Sequence, residues 1–428
     1  MGSGLESKLS RVAKVCLLPA ICLGYGLAAR SQDVPARGDV LPAGEGKEIL
    51  ETRCTLCHNT ERVTRQRFAR DDWQDTINRM IGYGVPLSDN QKAVLTDYLA
   101  ANFRGEPKAP GILVPGKVEV TIKEWTLPTR GTLPHDPLVA ADGAVWYSGQ
   151  LANLIGRLDP KTGQFKEYRM KTARSGPNGL VEDKDGNIWF AGGYQTYIGK
   201  LDPKTGEITE YQLGEGARPH TPIFDHEGNL WFTLNMSHQV GRIIPSTGEV
   251  KLVPAATPGA SPYGIAVNSQ GVPFFSQTGT NKLGSIDPET MKITEYVLPN
   301  QAARPRRIAI TPDDALWYTD YPRGYLGMYD PKTGTHKEWP SPSGAKSAPY
   351  GITTVGNIVW YSESGAKKNT LVRFDPATEK FQTWLIPVGG AHPEIMRTIV
   401  RNMTRSPQGT LWLALSGTNG IAAVEVKE

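Results

Sequence analysis

Ile198-Gly199-Lys200-Leu201-Asp202-Pro203-Lys204-Thr205-Gly206-Glu207-Ile208-Thr209-Glu210-Tyr211 is the stretch on which the fold turns. Two short strand-forming runs flank an Asp-Pro-Lys-Thr-Gly turn, the arrangement of a tight antiparallel hairpin. The turn returns at Asp159, Asp287, Asp330 and Asp375, with glycine omitted in some copies, and Ile244-Pro245 replaces Asp-Pro once. Ahead of it stand an Asp-Gly turn, an aromatic pair such as Trp189-Phe190, and a Pro-x-Gly-Ile start such as Pro262-Tyr263-Gly264-Ile265. The aligned aromatics are Trp146, Trp189, Trp231, Phe274, Trp317, Trp360 and Trp412, spaced by 42 or 43 residues with a last step of 52. A unit of that length holds four short strands and cannot bury its faces alone, so the units must stack. Radial stacking of seven such units predicts an all-β, seven-bladed propeller over residues 118–428. The last copy ends after its third strand, near Ala422 to Val426. The run at 118–125, Val118 to Trp125, is expected to supply the missing strand and close the ring.

The propeller is preceded by a different kind of sequence. Residues 43–104 read as a small all-α domain. Gly46 to Arg53 leads into Cys54-Thr55-Leu56-Cys57-His58; Trp73, Ile77, Met80 and Ile81 fall at helical spacing; Ser88 and Gln91 form a capping pair before a last helix. C-x-x-C-H is the attachment signature of c-type haem. Cys54 and Cys57 would form the thioethers, and His58 would reach the iron from one side. Met80 would be the opposite axial ligand, ahead of a Gly82-Tyr83-Gly84-Val85-Pro86 loop. Competing readings are a redox dithiol or half of a zinc site, and, for Met80, a plain core residue. No second pair of ligands lies nearby to complete a zinc site. Arg62, Arg65, Arg67 and Arg70 are candidates for the haem propionates or for a solvated face matched by carboxylates. The segment resembles the class I cytochrome c family, which implies one covalent haem c and a role in electron transfer.

Residues 1–29 read as a signal peptide: Lys8, Arg11 and Lys14, an apolar run from Val15 to Leu23, then Gly26-Leu27-Ala28-Ala29. Its removal takes away Cys16 and Cys22, two of the chain's four cysteines, and leaves those of the haem motif. Export makes the periplasm the expected compartment, with membrane contact only if the leader stays attached. Residues 30–42 are expected to be a disordered arm and 105–117, rich in Pro and Gly, a linker. A formal net charge of +4 over 428 residues gives no argument for nucleic acid.

Antiparallel pairing puts the start of each first strand on one face of the propeller, near the axis. Eleven residues before each aromatic, ten at Trp360, stand His135, Asn178, His220, Tyr263, Arg306, Tyr350 and Arg401. Three residues after the aromatics come Gly149, Gly192, Leu234, Gln277, Asp320, Glu363 and Leu415. Arg218, Arg304 and Arg307 add to a basic mouth. It suits a small anionic or polar aromatic substrate, or a redox partner docked there. His220, Tyr263 and Tyr350 are the candidate catalytic residues; His135, Asn178, Arg306, Asp320, Glu363 and Arg401 the candidate substrate contacts.

The repeat copies Pro262-Tyr263-Gly264-Ile265 and Ile198-Gly199-Lys200-Leu201-Asp202 resemble the streptogramin B lyase (virginiamycin B lyase) family of seven-bladed propellers. The resemblance implies a catalytic histidine and two glutamates that hold magnesium, one glutamate two residues before the histidine and the other at the end of the following strand. The best match is Arg218-Pro219-His220, where Arg218 and Leu234 occupy both glutamate positions. Glu363 matches the second position in another blade, but Tyr350 stands there in place of the histidine. Three functions follow: a haem oxidoreductase with a substrate-binding propeller, a lyase that abstracts a proton at the propeller face, and a propeller that only docks a partner.

Overall fold

The computed structural model describes residues 41–56, 60–82, 84–386 and 399–427. The leader, most of the arm that follows it, Cys57 and His58 lie outside the described residues. Four helices come first: α1 (Glu45–Arg53), α2 (Glu61–Thr64), α3 (Arg70–Gly82) and α4 (Asp89–Asn102). α1 ends in a 3-10 turn, Cys54–Leu56. The capping pair is realised in full: the Ser88 hydroxyl accepts from the Gln91 N–H and the Gln91 side chain accepts from the Ser88 N–H. α1 lies directly on α4, because a Cβ on Gly46 would sit 2.3 Å from the Tyr98 Cβ. Leu50, Trp73, Ile77, Leu95, Tyr98, Leu99 and Phe103 form the core of this segment, and Cys54 and Ile81 pack at its edge. No described helix is long and apolar enough to cross a membrane.

Seven four-stranded antiparallel sheets follow. Blade one is Pro134–Val139, Val145–Gly149, Leu154–Leu158 and Phe165–Arg169, and blades two to six repeat this order. Blade seven is Val400–Arg405, Leu411–Leu415 and Gly420–Lys427, completed by Glu119–Thr126. That closing strand pairs from Glu119 opposite Lys427 to Thr126 opposite Gly420, as the truncated last repeat predicts.

The repeated aromatic earns its place by stacking. Trp146 on Tyr168, Trp189 on Tyr211, Trp317 on Trp339 and Trp360 on Trp384 all lie at centroid distances of 5.0–5.6 Å, second strand against fourth. Blade seven makes the same contact between Trp412 and Trp125, at 5.4 Å. The ring is therefore clasped by a side chain from the far end of the chain. The Asp-Gly turn has a second use: Asp183 accepts from the Trp189 indole N–H at 2.8 Å, and Asp225 from that of Trp231 at 2.8 Å. Buried indoles thus keep a hydrogen-bond partner.

The Asp-Pro turns close as expected. The Asp202 carboxylate accepts from the Lys204 N–H, and the Gly206 N–H returns to the Asp202 carbonyl at 2.7 Å. Gly206 has φ +80°, and where the glycine is replaced Met291 and Glu379 adopt positive φ themselves.

The segment read as a linker is held along blade six. Lys367 N–H donates to the Ala109 carbonyl at 2.9 Å, Val114 N–H to the Thr383 hydroxyl at 2.7 Å, and the Gln382 amide to the Val118 carbonyl at 2.6 Å. Arg130, just before blade one, donates to the Ile81 and Gly82 carbonyls at the end of α3, at 3.0 and 3.2 Å. A cation there satisfies orphan carbonyls and complements the helix dipole.

Trp125→Ala removes the clasp from blade seven while leaving its backbone pairing intact. We expect a loss of about 2–3 kcal/mol, below the range for a fully buried Trp because Trp125 is half-buried. Urea unfolding measures it, and an unchanged midpoint would mean that the clasp contributes nothing.

Candidate functional site

The site is built by a bulge. In blade one, Pro134 pairs with Gly149 and Pro137 with Tyr147, so His135 and Asp136 together face only Ser148. The same two-for-one mismatch occurs at Asn178-Gly179, Tyr263-Gly264, Arg306-Arg307, Tyr350-Gly351 and Arg401-Asn402. A bulge leaves a backbone N–H without its ladder partner and re-aims the side chains it carries. Here the residue facing the bulge repairs the loss. Ser148 accepts from Asp136 N–H at 3.0 Å, Ser276 from Gly264 N–H at 2.9 Å, and Thr319 from Arg307 N–H at 3.3 Å. The same hydroxyls tie neighbouring blades together: Thr233 donates to the Tyr263 carbonyl at 2.7 Å, Ser276 to that of Arg306 at 2.5 Å, and Thr319 to that of Tyr350 at 2.9 Å.

Each bulge delivers two residues, the second a glycine in blades two, four and six, and blade three, which pairs without a bulge, brings His220 and Thr221 from just before its first strand. The second set makes a bridge across the channel. Arg307 of blade five donates to Asp136 of blade one at 2.8 Å and to Thr221 of blade three at 3.3 Å. Asn402 of blade seven donates to the other Asp136 oxygen at 2.8 Å. Arg307 and Asp136 are buried, at 3% and 2% exposure, so each is the other's main compensation for lost water. Burial would raise the Asp136 carboxyl, but Arg307 and His135 hold it below the usual carboxylate range.

The first set lies around this bridge. His135 Nδ1 is 2.7 Å from Asp136 Oδ1. Burial drives His135 down to about 4 against the pull of Asp136, and Arg401 and Arg307 add to the fall. The neutral ring donates through Nδ1 to an ionised carboxylate that can only accept, which leaves Nε2 as a free base. His220 packs edge-on to His135 at 5.4 Å and lies 4.0 Å from the Tyr263 ring. Burial, Arg307 and His135 hold it well below its ordinary value. Tyr263 and Tyr350 meet hydroxyl to hydroxyl at 2.6 Å. Arg306 donates to Tyr350 at 3.1 Å, and its guanidinium lies over Tyr350, Tyr321 and Tyr263 at 4.2, 4.5 and 4.9 Å. Burial and Tyr350 push Tyr263 up to about 12. Burial would raise Tyr350 as well, but Arg306, Arg401 and Arg307 bring it down to about 8.

His135, His220, Tyr263, Arg306 and Tyr350 therefore form one cluster, with Arg401 close enough to act on Tyr350 and His135. Asn178 sits apart, accepting from the Gln150 amide. Asp320 and Glu363 do not join the cluster. Asp320 is engaged by Arg323 at 2.8 Å and by the Arg304 N–H, and Glu363 by Ser343 and Thr370. The pairing explains this: Asp320 stands opposite Pro305 and Glu363 opposite Pro349, one residue short of the bulge. Arg218 is exposed. Asp136, Thr221 and Asn402 were not picked out from the sequence. A partial signal was present in the Ser or Thr two places after the aromatic at Ser148, Ser276, Thr319 and Ser362, each of which faces a bulge; the bulges of blades two and seven face Ala191 and Ala414 instead.

Among the described residues no group of three His, Cys, Asp or Glu side chains is placed to hold a metal ion. Leu234, at the position of the second glutamate, is fully buried among apolar side chains.

In the helical segment, Cys54 is half-buried at the edge of the apolar cluster and Met80 is half-buried on the last turn of α3. Arg65 pairs with Glu61, and Arg70 with Asp97 at 2.7 Å, the solvated-face arrangement. A thiol beside an apolar core and a thioether donor are chemically suited to a covalent haem.

The virginiamycin B lyase family matches residues 116–333. The chain belongs to this family. Virginiamycin B lyase from Staphylococcus aureus is 25% identical, with a TM-score of 0.64 over 72% of this chain and 99% of that one. A streptogramin B lyase structure is 26% identical, with a TM-score of 0.65 over 72% and 98%. A catalytically inactive variant of the S. aureus enzyme with quinupristin also matches at 25% identity, with a TM-score of 0.64 over 72% and 99%. Hydrazine synthase of Kuenenia stuttgartiensis, at 13% identity and a TM-score of 0.57, shares the fold. No curated protein matches the chain.

Asp136→Ala would leave Arg307 buried without its carboxylate. A loss of about 3–5 kcal/mol is expected in denaturant unfolding. A loss below about 1 kcal/mol would mean that water already screens the bridge.

Proposed function

We propose that this protein is a periplasmic haem-c oxidoreductase or electron-transfer protein in which a lyase-family propeller supplies the ligand-binding face. The observation that carries the haem half is C-x-x-C-H at the end of α1, with Cys54 against the apolar cluster and Met80 half-buried on α3. Cys54 and Cys57 would hold the haem, and His58 and Met80 the iron, which when bound supplies one-electron chemistry. Arg130 holds the carbonyls that follow Met80 and so fixes the end of that helix.

The ligand half rests on the axial cluster. Half-buried Arg306 and Arg401 offer positive charge to an anion, with the half-buried Tyr321 beside Arg306, over the buried Tyr263, Tyr350 and His135. A small anionic or polar aromatic molecule fits these groups, and a redox partner presenting a carboxylate fits the same charge.

The haem assignment is tested optically. Exported, purified protein reduced with ascorbate should show sharp c-type bands, and the oxidised form a weak band near roughly 695 nm from Met–iron bonding. Met80→Ala should lose the weak band and keep the haem. Exported protein without covalent haem would overturn the assignment.

A second reading is favoured by family membership: elimination by proton abstraction at the same face, with His220 and the two tyrosines in the proton path. Quinupristin separates the two readings. With Arg218 and Leu234 in the glutamate positions, the protein is expected to leave it intact with or without magnesium. Ring opening that is lost in His220→Ala would replace the first reading with the second.

A further inference from the structure

Arg306 is a cation without a carboxylate. Among the described residues it forms no ion pair, and its Nε is buried with no hydrogen-bond partner. A half-buried cation with a buried Nε favours a negative group beside it, and the carboxylate of the axial cluster, Asp136, is already taken by Arg307, Asn402 and His135. What does touch Arg306 is Tyr350, whose oxygen accepts from the guanidinium at 3.1 Å and lies 2.6 Å from the Tyr263 hydroxyl. Only one proton can lie between two phenol oxygens at that distance. Either hydroxyl can be the donor; when Tyr263 donates, both it and Arg306 reach the Tyr350 oxygen as an acceptor.

We propose that Tyr350 ionises to a phenolate paired with Arg306, with Tyr263 as its proton-bearing partner, and that in this form it takes the proton of a weak-acid ligand, a phenol or enol, bound at the propeller mouth. The ligand O–H breaks and an O–H forms on Tyr350. The electron pair stays on the ligand oxygen, and the negative charge moves from Tyr350 to the ligand. Arg306 and Arg401, each with a buried and unpartnered Nε, are the donors available to that new anion. The residues around Tyr350 agree with this. Arg306, Arg307 and Tyr321 face the pair from blade five, Arg401 from blade seven, His220 from blade three, and His135 with Asp136 from blade one. The three arginines outweigh burial and bring Tyr350 to about 8. The proposal rests on the reading of this face as a ligand site and is independent of the haem.

Full-length protein labelled with 13C at tyrosine Cζ, followed by NMR from about pH 6 to 11, tests it. One tyrosine resonance is expected to titrate near pH 8, about two units below an ordinary phenol. Tyr350→Phe should remove that transition. Arg306→Gln and Tyr263→Phe should each move it up, by about one unit or more for the arginine. If no tyrosine ionises below about pH 10, or if the transition survives in Tyr350→Phe, the proposal is overturned. 4-Nitrophenol then tests the ligand. Bound probe should show its anion band about one pH unit below the free probe's own transition, and Arg306→Gln should abolish the shift. Binding without the shift overturns the proton transfer. The expected Tyr350 transition with no binding of 4-nitrophenol overturns only the ligand reading.

Discussion

The first strand of six blades carries one residue more than the strand beside it, and the site depends on that excess. A regular strand alternates its side chains and would give the axis one residue per blade. In blades one, five and seven the bulge gives it two. The cost is a displaced backbone N–H, and in most blades a Ser or Thr on the facing strand accepts it. Because those hydroxyls also bond to the next blade, bulge geometry and blade packing are fixed together. Side chains from blades one and three to seven are thereby gathered into one object.

Within that object the two sets of residues divide the work. The Arg307–Asp136 bridge crosses the channel, and burial makes it sensitive to loss of either partner. Its guanidinium adds to burial in holding His220 well below its ordinary value, and its carboxylate orients His135. The outer set, Arg306 with its three tyrosines, carries an excess of positive charge on the same foundation. The family fold is kept while Arg218 and Leu234 stand where the family resemblance calls for carboxylates.

The helical segment meets the propeller through backbone groups more than through side-chain packing. Residues 105–117 hydrogen-bond along blade six, and Arg130 caps α3. Such contacts fix position without needing a matched apolar surface. That is why the segment read as a spacer from its Pro and Gly content: its order comes from strand Lys380–Leu385, which is remote in the chain.

Much was legible in the sequence because it is periodic. The aromatic every 42 or 43 residues fixed the blade count, and the missing last strand pointed to residues 118–125. The turn aspartates, the capping pair at Ser88 and the ring positions His135 to Arg401 all followed from local spacing. What spacing cannot give is direction. Asp320 and Glu363 sit one place from the bulge and turn to their own blades, whereas Asp136 and Asn402 sit inside it and meet between the neighbouring blades one and seven. Those partners are 266 residues apart in the chain, and only closure of the ring brings them within a hydrogen bond. The sequence determined the blades, because each is built from contacts within about forty residues. The tertiary structure alone decided the site, because charge and proton sharing there depend on side chains that meet only when seven blades surround one axis.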